Sequence, residues 1–275
     1  MAKLIGTLVL LAGLCAVMAV LARRWPAAPG QKRTLRDTIT DVGFLVFNRV
    51  LARPVTKVVL LLVAGAWAAL AAGSLSPSAL LTAFSSRSAL ALQPLWLQTL
   101  EVVLLGDFIG YWVHRAFHHG ELWRYHAVHH SPERLDWLSS PRLHPVNDLL
   151  GTLLRIVPLF VLGFDVEALA ITVPGLALYG LLLHANVWWR FGALRYVVTT
   201  PAFHRWHHAA PETLPVSMRH HGANFAGVLP LWDLLFRTYH LPAQPPARCG
   251  VDEPMADGMW GLLRHPWRRD APRRA

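Results

Sequence analysis

Cysteine is nearly absent from this 275-residue chain: Cys15 lies in an apolar run and Cys249 close to the C-terminus. Two such residues build neither a disulfide framework nor a cysteine-ligated iron–sulfur cluster. Lysine is almost as scarce, at Lys3, Lys32 and Lys57 only, so arginine carries nearly all of the positive charge. Charged residues make up 15% of the chain against 54% hydrophobic, with a mean hydropathy of +0.35. That balance belongs to a membrane protein. A formal net charge of +10 would ordinarily suggest nucleic-acid binding. Here the arginines sit in short stretches between apolar runs, the pattern that orients membrane proteins. Histidine is missing from the first 113 residues, yet fourteen of the 15 fall between His114 and His240.

Hydrophobic runs divide the chain. Leu4–Ala22 is long enough to cross a bilayer and ends in Arg23-Arg24, which reads as a retained anchor rather than a secretory signal peptide. Residues 23–54 are basic and proline-punctuated, with Leu35, Ile39, Val42 and Val46 spaced like a short amphipathic interfacial helix. Val55–Gly73 is a second span, followed by a mixed stretch, Ser74–Pro94, whose single arginine is Arg87. Leu95–Val113 is a third, carrying Glu101 and Asp107 and running straight into His114. Val146–Gly163 and Val166–Asn186, separated by Phe164-Asp165, form a helical hairpin, and Pro158 and Pro174 are tolerable kinks within it.

Arginines orient the spans. Arg23, Arg24, Arg33 and Arg36 follow the first, Arg115, Arg124, Arg134 and Arg142 the third, and Arg190, Arg195 and Arg205 the fifth. All three groups come out cytoplasmic if the N-terminus is outside. The expected fold is an all-α integral membrane protein of four to five transmembrane helices with a cytosolic helical cap. Residues 1–96 are its N-terminal membrane part, 97–242 the domain that carries the histidine clusters, and 243–275 a basic tail, frayed from Arg264 on. The expected location is a cell membrane, the inner one if the chain is bacterial.

Three clusters hold eight histidines: His114 and His118; His126, His129 and His130; His204, His207 and His208. Spacings of three and four residues share a helix face, so each cluster offers two or three imidazoles in one direction. Burying eight unpaired imidazoles without a metal would be costly, and the number suits a pair of transition-metal ions. A zinc-protease helix would show His-Glu-x-x-His, and none occurs. Ligand softness alone admits iron, zinc or copper. A bilayer offers aliphatic C–H bonds, and breaking them takes redox-active iron and O₂.

The spacing His-x₃-His, His-x₂-His-His, then a distant His-x₂-His-His resembles the fatty acid hydroxylase and sterol desaturase superfamily of membrane di-iron enzymes. Further segments share the likeness: Asp107-x₃-Tyr111-Trp-Val-His114-Arg, Arg142-Leu-His144-Pro145, His184-Ala-Asn186, Thr200-Pro-Ala-Phe-His204, Asn224-Phe225 and Leu231-Trp232-Asp233 through Thr238-Tyr239. The resemblance covers about residues 97–242 and implies an O₂-dependent lipid hydroxylase or desaturase with two iron ions in a cytosolic cap. It implies His114, His118, His126, His129, His130, His204, His207 and His208 as ligands, with His184 as a ninth. Some members carry another histidine one turn before the position of His184. Here that residue is Gly180, so either His144 substitutes or one iron keeps an open or water-filled position. His119, His220 and His221 fall outside the pattern.

Asp107, two turns before His114, is read as a carboxylate orienting a ligand imidazole, the bland alternative being a buried pair with an arginine. Asn224 and Asn186 offer the same imidazole support or plain capping. Trp188, Trp189 and Trp206 read as interfacial belt residues or as a substrate slot. No His-Pro-Gly-Gly string marks a fused cytochrome b5 domain, so a separate ferredoxin or cytochrome b5 type electron donor is implied. Zinc stands above Fe²⁺ in the affinity order, so recombinant protein could load zinc. The competing reading is a histidine-rich membrane metal transporter or storage protein without redox chemistry. Its sites would be expected near the bilayer midplane on broken helices, whereas these clusters follow the membrane edge.

Overall fold

Thr34 opens the longest helical unit. Its hydroxyl accepts the Asp37 amide at 3.0 Å while the Asp37 carboxylate accepts the Thr34 amide at 3.0 Å, a reciprocal cap that satisfies two otherwise orphaned donors. In this computed structural model, which describes residues 2–78 and 88–268, the α-helices bounded within the described residues are α1 (Ala2–Arg24), α2 (Leu35–Phe47), α3 (Arg53–Ala72), α4 (Leu95–Phe117), α5 (Trp123–His130), α6 (Pro145–Leu162), α7 (Val166–His184), α8 (Pro201–His207), α9 (Leu231–Leu235) and α10 (Gly258–Arg264). Among the described residues there is no strand, only an isolated bridge between Ala209 and Cys249. Arg87 and residues 269–275 of the basic tail lie outside the described residues.

The short interfacial helix expected before Val55 is instead continuous with the next span. A π-helical turn, Asn48–Ala52, joins α2 to α3, giving an unbroken helix of 38 residues from Leu35 to Ala72. The wide turn also seats Asn48, whose amide donates to the Pro141 and Leu143 carbonyls at 3.0 Å each. The amphipathic stripe itself is present: Leu35, Ile39, Val42 and Val46 are all exposed.

Three helices are long and apolar enough to cross a membrane among the described residues: Leu35–Ala72, α6 and α7. Their outward leucines have no protein to cover them, Leu61 being 73% and Leu70 78% exposed. α4 is long enough at 23 residues but carries Glu101 and Asp107 and is not one of the three. It packs along both α6 and α7, where Val102, Leu159, Ala168 and Leu169 bury one another. Gly163, in the left-handed region at φ 94°, ends α6, and the Asp165 carboxylate accepts the Glu167 amide to start α7. The last turns of α1 rest on the end of α7 through Met18, Ala185 and Val187.

The tail is ordered further than expected. α10 buries Leu262 and Leu263 against Phe44 of α2 and Val128 of α5, and His265 and Pro266 beyond it are buried. Apolar burial at those positions, worth roughly 2 kcal/mol per large side chain, explains why the chain does not fray at Arg264.

Candidate metal centre

Four helices end at one place. α4 brings His114 in its last turn and His118 at its C-cap, α5 brings His126, His129 and His130, α7 ends on His184, and α8 brings His204 and His207 with His208 at its C-cap. The nine imidazoles gather in two groups: His114, His118, His126, His130 and His207, and then His129, His184, His204 and His208. Within each group one nitrogen per ring lies within 4.8 Å of all the others. The groups adjoin, with the His130 and His208 rings stacked at 4.3 Å.

The triplets do not present a single three-imidazole face, which corrects the expectation from spacing. His126 and His130 serve one group and His129 the other; His204 and His208 serve one and His207 the other. A helix turns about 100° per residue, so positions i and i+4 are about 40° apart while i+3 points away from i+4 by about 100°. Each short helix thereby feeds both groups.

The second ring nitrogen fixes the tautomer. Nδ1 of His114 donates to the Phe225 carbonyl at 2.8 Å, that of His184 to Gly180 at 2.7 Å, and that of His207 to Ala223 at 2.8 Å. Nδ1 of His129 donates to the Arg142 carbonyl at 3.2 Å and that of His126 to Asn147 Oδ1 at 2.7 Å. A carbonyl oxygen only accepts, so in these neutral rings the lone pair lies on Nε2. The Nε2 atoms of His114 and His126 are 3.1 Å apart, and those of His184 and His129 3.2 Å. Neither pair has a proton to share. Lone pairs facing at that distance repel unless a cation sits among them, so the donor set fits bound metal. His207 Nε2 and both His208 ring nitrogens are also buried with no hydrogen-bond partner among the described residues, a costly arrangement unless a metal takes them. Burial first, and then crowding by other imidazoles, holds His126, His130, His204 and His208 well below the usual histidine range. The same causes act on His129 and His207. All six are neutral, and so able to ligate, near pH 7.

One loop holds two of the rings, and two carboxylates hold the loop. Asp233 accepts the Phe225 and Ala226 amides at 2.8 and 2.9 Å. Asp107 accepts the Gly227, Val228 and Leu229 amides at 3.0, 2.8 and 2.8 Å, and the Trp232 indole at 3.0 Å. With the amides so engaged, the Ala223 and Phe225 carbonyls are left for His207 and His114. Asp107 therefore touches neither an imidazole nor an arginine, and both readings of it are corrected: its oxygens are saturated by N–H donors.

Asn224, in the left-handed region at φ 62°, binds no imidazole. Its amide donates to the Phe203 and His240 carbonyls at 2.9 and 2.7 Å. Asn186 likewise pairs with the Ala28 backbone. His144 does not stand in for the histidine missing at Gly180. It caps α6, accepting the Val146 amide at Nδ1 and donating from Nε2 to Leu263. Gly180 takes part differently, through its carbonyl on His184. His119 and His221 lie ring to ring at 5.0 Å, tilted by 37°, outside both groups, as His220 also is. Trp206 is buried, its indole donating to the Gln244 carbonyl, so it is no belt residue. Trp188 packs against the cluster of Trp206, Ala209 and Leu214, and Trp189 meets Trp25 edge-on. Sequence reasoning missed Asn147 and Gly222, and quoted Asp233 in a motif without giving it a role. An added Cβ at Gly222, which lies at φ +78°, would meet His118 Nδ1 at 2.9 Å.

The fatty acid hydroxylase family model matches residues 99–238, about half of the chain and all nine gathered histidines. The chain belongs to the fatty acid hydroxylase family. Among curated relatives of this family member, ornithine lipid hydroxylase OlsE of Rhizobium tropici is 35% identical over 179 residues, 63% of this chain and 52% of that protein. Alkylglycerol monooxygenase of Homo sapiens is 31% identical over 134 residues, covering 48% of this chain and 28% of that one. Very-long-chain aldehyde decarbonylase GL1-5 of Oryza sativa subsp. indica is 30% identical over 146 residues, 48% and 22% of the two chains. The chain thus spans about half the length of the first relative and less than a third of the others. No solved structure matches it.

Proposed function

We propose that the chain is a membrane oxidoreductase that uses O₂ to hydroxylate or desaturate a lipid, with two iron ions held by the two histidine groups. The supporting observation is the pairing of Nε2 lone pairs in both groups, where α4 and α7, whose outer faces expose leucine, end beside α5 and α8. Iron bound there would supply oxidation of an unactivated C–H bond, which no side chain performs alone. The chain's own residues do the rest. Histidines of the first group hold one ion and those of the second the other; Nδ1–H bonds to Phe225, Ala223, Arg142, Gly180 and Asn147 keep each ring aimed. The apolar faces of α4, α6 and α7 admit an alkyl chain sideways from the bilayer. Relatives named for ornithine lipid, alkylglycerol and very-long-chain aldehyde favour a substrate with a long chain and a polar head.

In this reading α1 and α4 join the three apolar helices to give four or five spans. The N-terminus is outside, the cap that carries the histidine clusters is cytoplasmic, and electrons come from a separate ferredoxin or cytochrome b5 type protein. Metal transport is the weaker reading, because the imidazoles gather at helix ends rather than midway along a span.

Purified protein should carry about two metal ions per chain. With iron, a reductant and a lipid panel it should take up O₂ only when lipid is present and release a product with a new hydroxyl or double bond. His208→Ala should lose metal and turnover together, while His119→Ala keeps both. Two bound irons with no lipid-dependent O₂ uptake across the panel would sink the oxidase reading in favour of metal handling.

A further inference from the structure

Arg155 stands in the middle of α6, a helix apolar enough to cross a membrane. Its Nε donates to the Gly151 carbonyl at 2.8 Å, one turn back toward the N-terminus. That bond turns the guanidinium toward the end of α6 nearest the histidine groups. Gly110 makes the room, while Gly151 lies at ordinary contact distance. A Cβ added at Gly110 of α4 would lie 3.3 Å from Arg155 Cδ, and one at Gly151 would lie 4.0 Å from its Nη2 and 3.8 Å from the Phe117 ring. Gly110 is one turn before His114.

The guanidinium has no ion-pair partner among the described residues. The carboxylates that feel its charge are Asp148 and Asp107. Asp107 is saturated by the 227–229 amides and Trp232, and Asp148 sits beside the Thr56 hydroxyl at 3.4 Å. The residue is nonetheless exposed, on the surface that would face lipid. An arginine at membrane depth is expensive unless an anion meets it, and the anions that a bilayer brings are lipid head groups.

We infer that Arg155 binds the acidic head group, carboxylate or phosphate, of the lipid substrate, and so selects acid-headed over neutral amphiphiles. Arg155 is thus a specificity residue, holding the head beside His114 through its fork of N–H donors. The inference rests on the lipid-oxidase reading above, but its test does not need turnover.

Binding of radiolabelled hexadecyl phosphate, palmitate and hexadecanol is measured on the metal-loaded full chain in neutral maltoside micelles, without reductant. The native protein should hold at least one of the two acids about tenfold more tightly than the alcohol, the scale of one charge-assisted hydrogen bond. Preference for the phosphate alone assigns a phospholipid-type head, for palmitate alone a carboxylate, and for both a charge-only selection. Arg155→Gln should abolish the preference while leaving hexadecanol binding and metal content unchanged. Arg155→Lys, which keeps the charge but not the fork, should retain part of it. The inference is overturned if the native protein ranks acid and alcohol equally, if Arg155→Gln keeps the preference, or if alcohol binding falls in parallel. Should Arg155→Gln not fold, the native ranking and the lysine variant decide alone. Acid preference lost in Arg155→Gln, in a chain that oxidises no lipid, would keep the head-group site at Arg155 and sink the oxidase reading; an active oxidase without the preference would overturn the head-group site and keep the oxidase reading.

Discussion

Nδ1 of His126 donates to Oδ1 of Asn147 at 2.7 Å, and this bond leaves Nε2 of the same ring facing His114 at 3.1 Å and His130 at 3.2 Å. Asn147 lies in the first turn of α6, so a helix that contributes no imidazole still sets the direction of one.

Replacing Asn147 by Leu should therefore weaken metal binding about 10- to 100-fold, the usual cost of losing such a partner. Asn147→Asp, which keeps an acceptor, should lose much less. Metal retained after dialysis against graded chelator checks both. Equal retention by native protein and the Leu variant would mean that His126 needs no external orientation.

Gly222 is fixed by contact as well as conformation. Its φ of +78° and the 2.9 Å approach of an added Cβ to His118 Nδ1 make Gly222→Ala doubly unfavourable, at about 1–2 kcal/mol for the backbone alone. The variant should lose metal from the His118 group and lower the thermal midpoint. Gly175→Ala, where nothing lies within 4 Å, should do neither. Full metal content in Gly222→Ala would show that His118 can shift without consequence.

Asp41 of α2 takes Arg33 Nη2 and Arg142 Nε, each at 2.6 Å, with its own side chain 1% exposed. Asp41→Ala leaves the buried Arg142 guanidinium without a carboxylate, while Arg33 keeps Asp136 at 2.6 Å, and should cost about 3–5 kcal/mol. It should also loosen the Arg142 carbonyl that orients His129. Thermal unfolding of the metal-loaded protein measures the first effect, and chelator sensitivity the second. Adding Arg142→Met should restore part of the loss, and failure to do so would count against the ion pair as its origin.

Acidification should destabilise the metal-free protein. The buried imidazoles of His126, His129, His130, His204, His207 and His208 hold folded-state values well below the ordinary 6.5. Below about pH 6.5 the unfolded chain takes up protons that the folded chain refuses, so stability falls as pH falls. Above that pH both states are neutral and these groups add no slope. Thermal midpoints of metal-free protein between pH 8 and about pH 5 should drop only on the acid side of about 6.5. Metal should leave in the same window, since protons compete for the ligand lone pairs. A midpoint flat down to about pH 5 would contradict neutral burial of the rings.

Local periodicity carries the apolar runs, most of the helices and the eight clustered imidazoles, because helical spacing and hydropathy are properties of short stretches of chain; His184 as a ninth came from the family resemblance. The triplets at 126–130 and 204–208 showed in the spacing that several rings would converge. The sorting of His129 away from His130, and of His207 away from His208, required knowing where the facing helices stand, since adjacent residues diverge by about 100°. Asp107 was visible as a buried acid; that it serves the 227–229 amides and not an imidazole depends on a loop 120 residues away. The same holds for Asn147, Gly222 and the Ala223 and Phe225 carbonyls. A backbone carbonyl carries no sequence signature, and only the packing of separate segments decides which ring it meets.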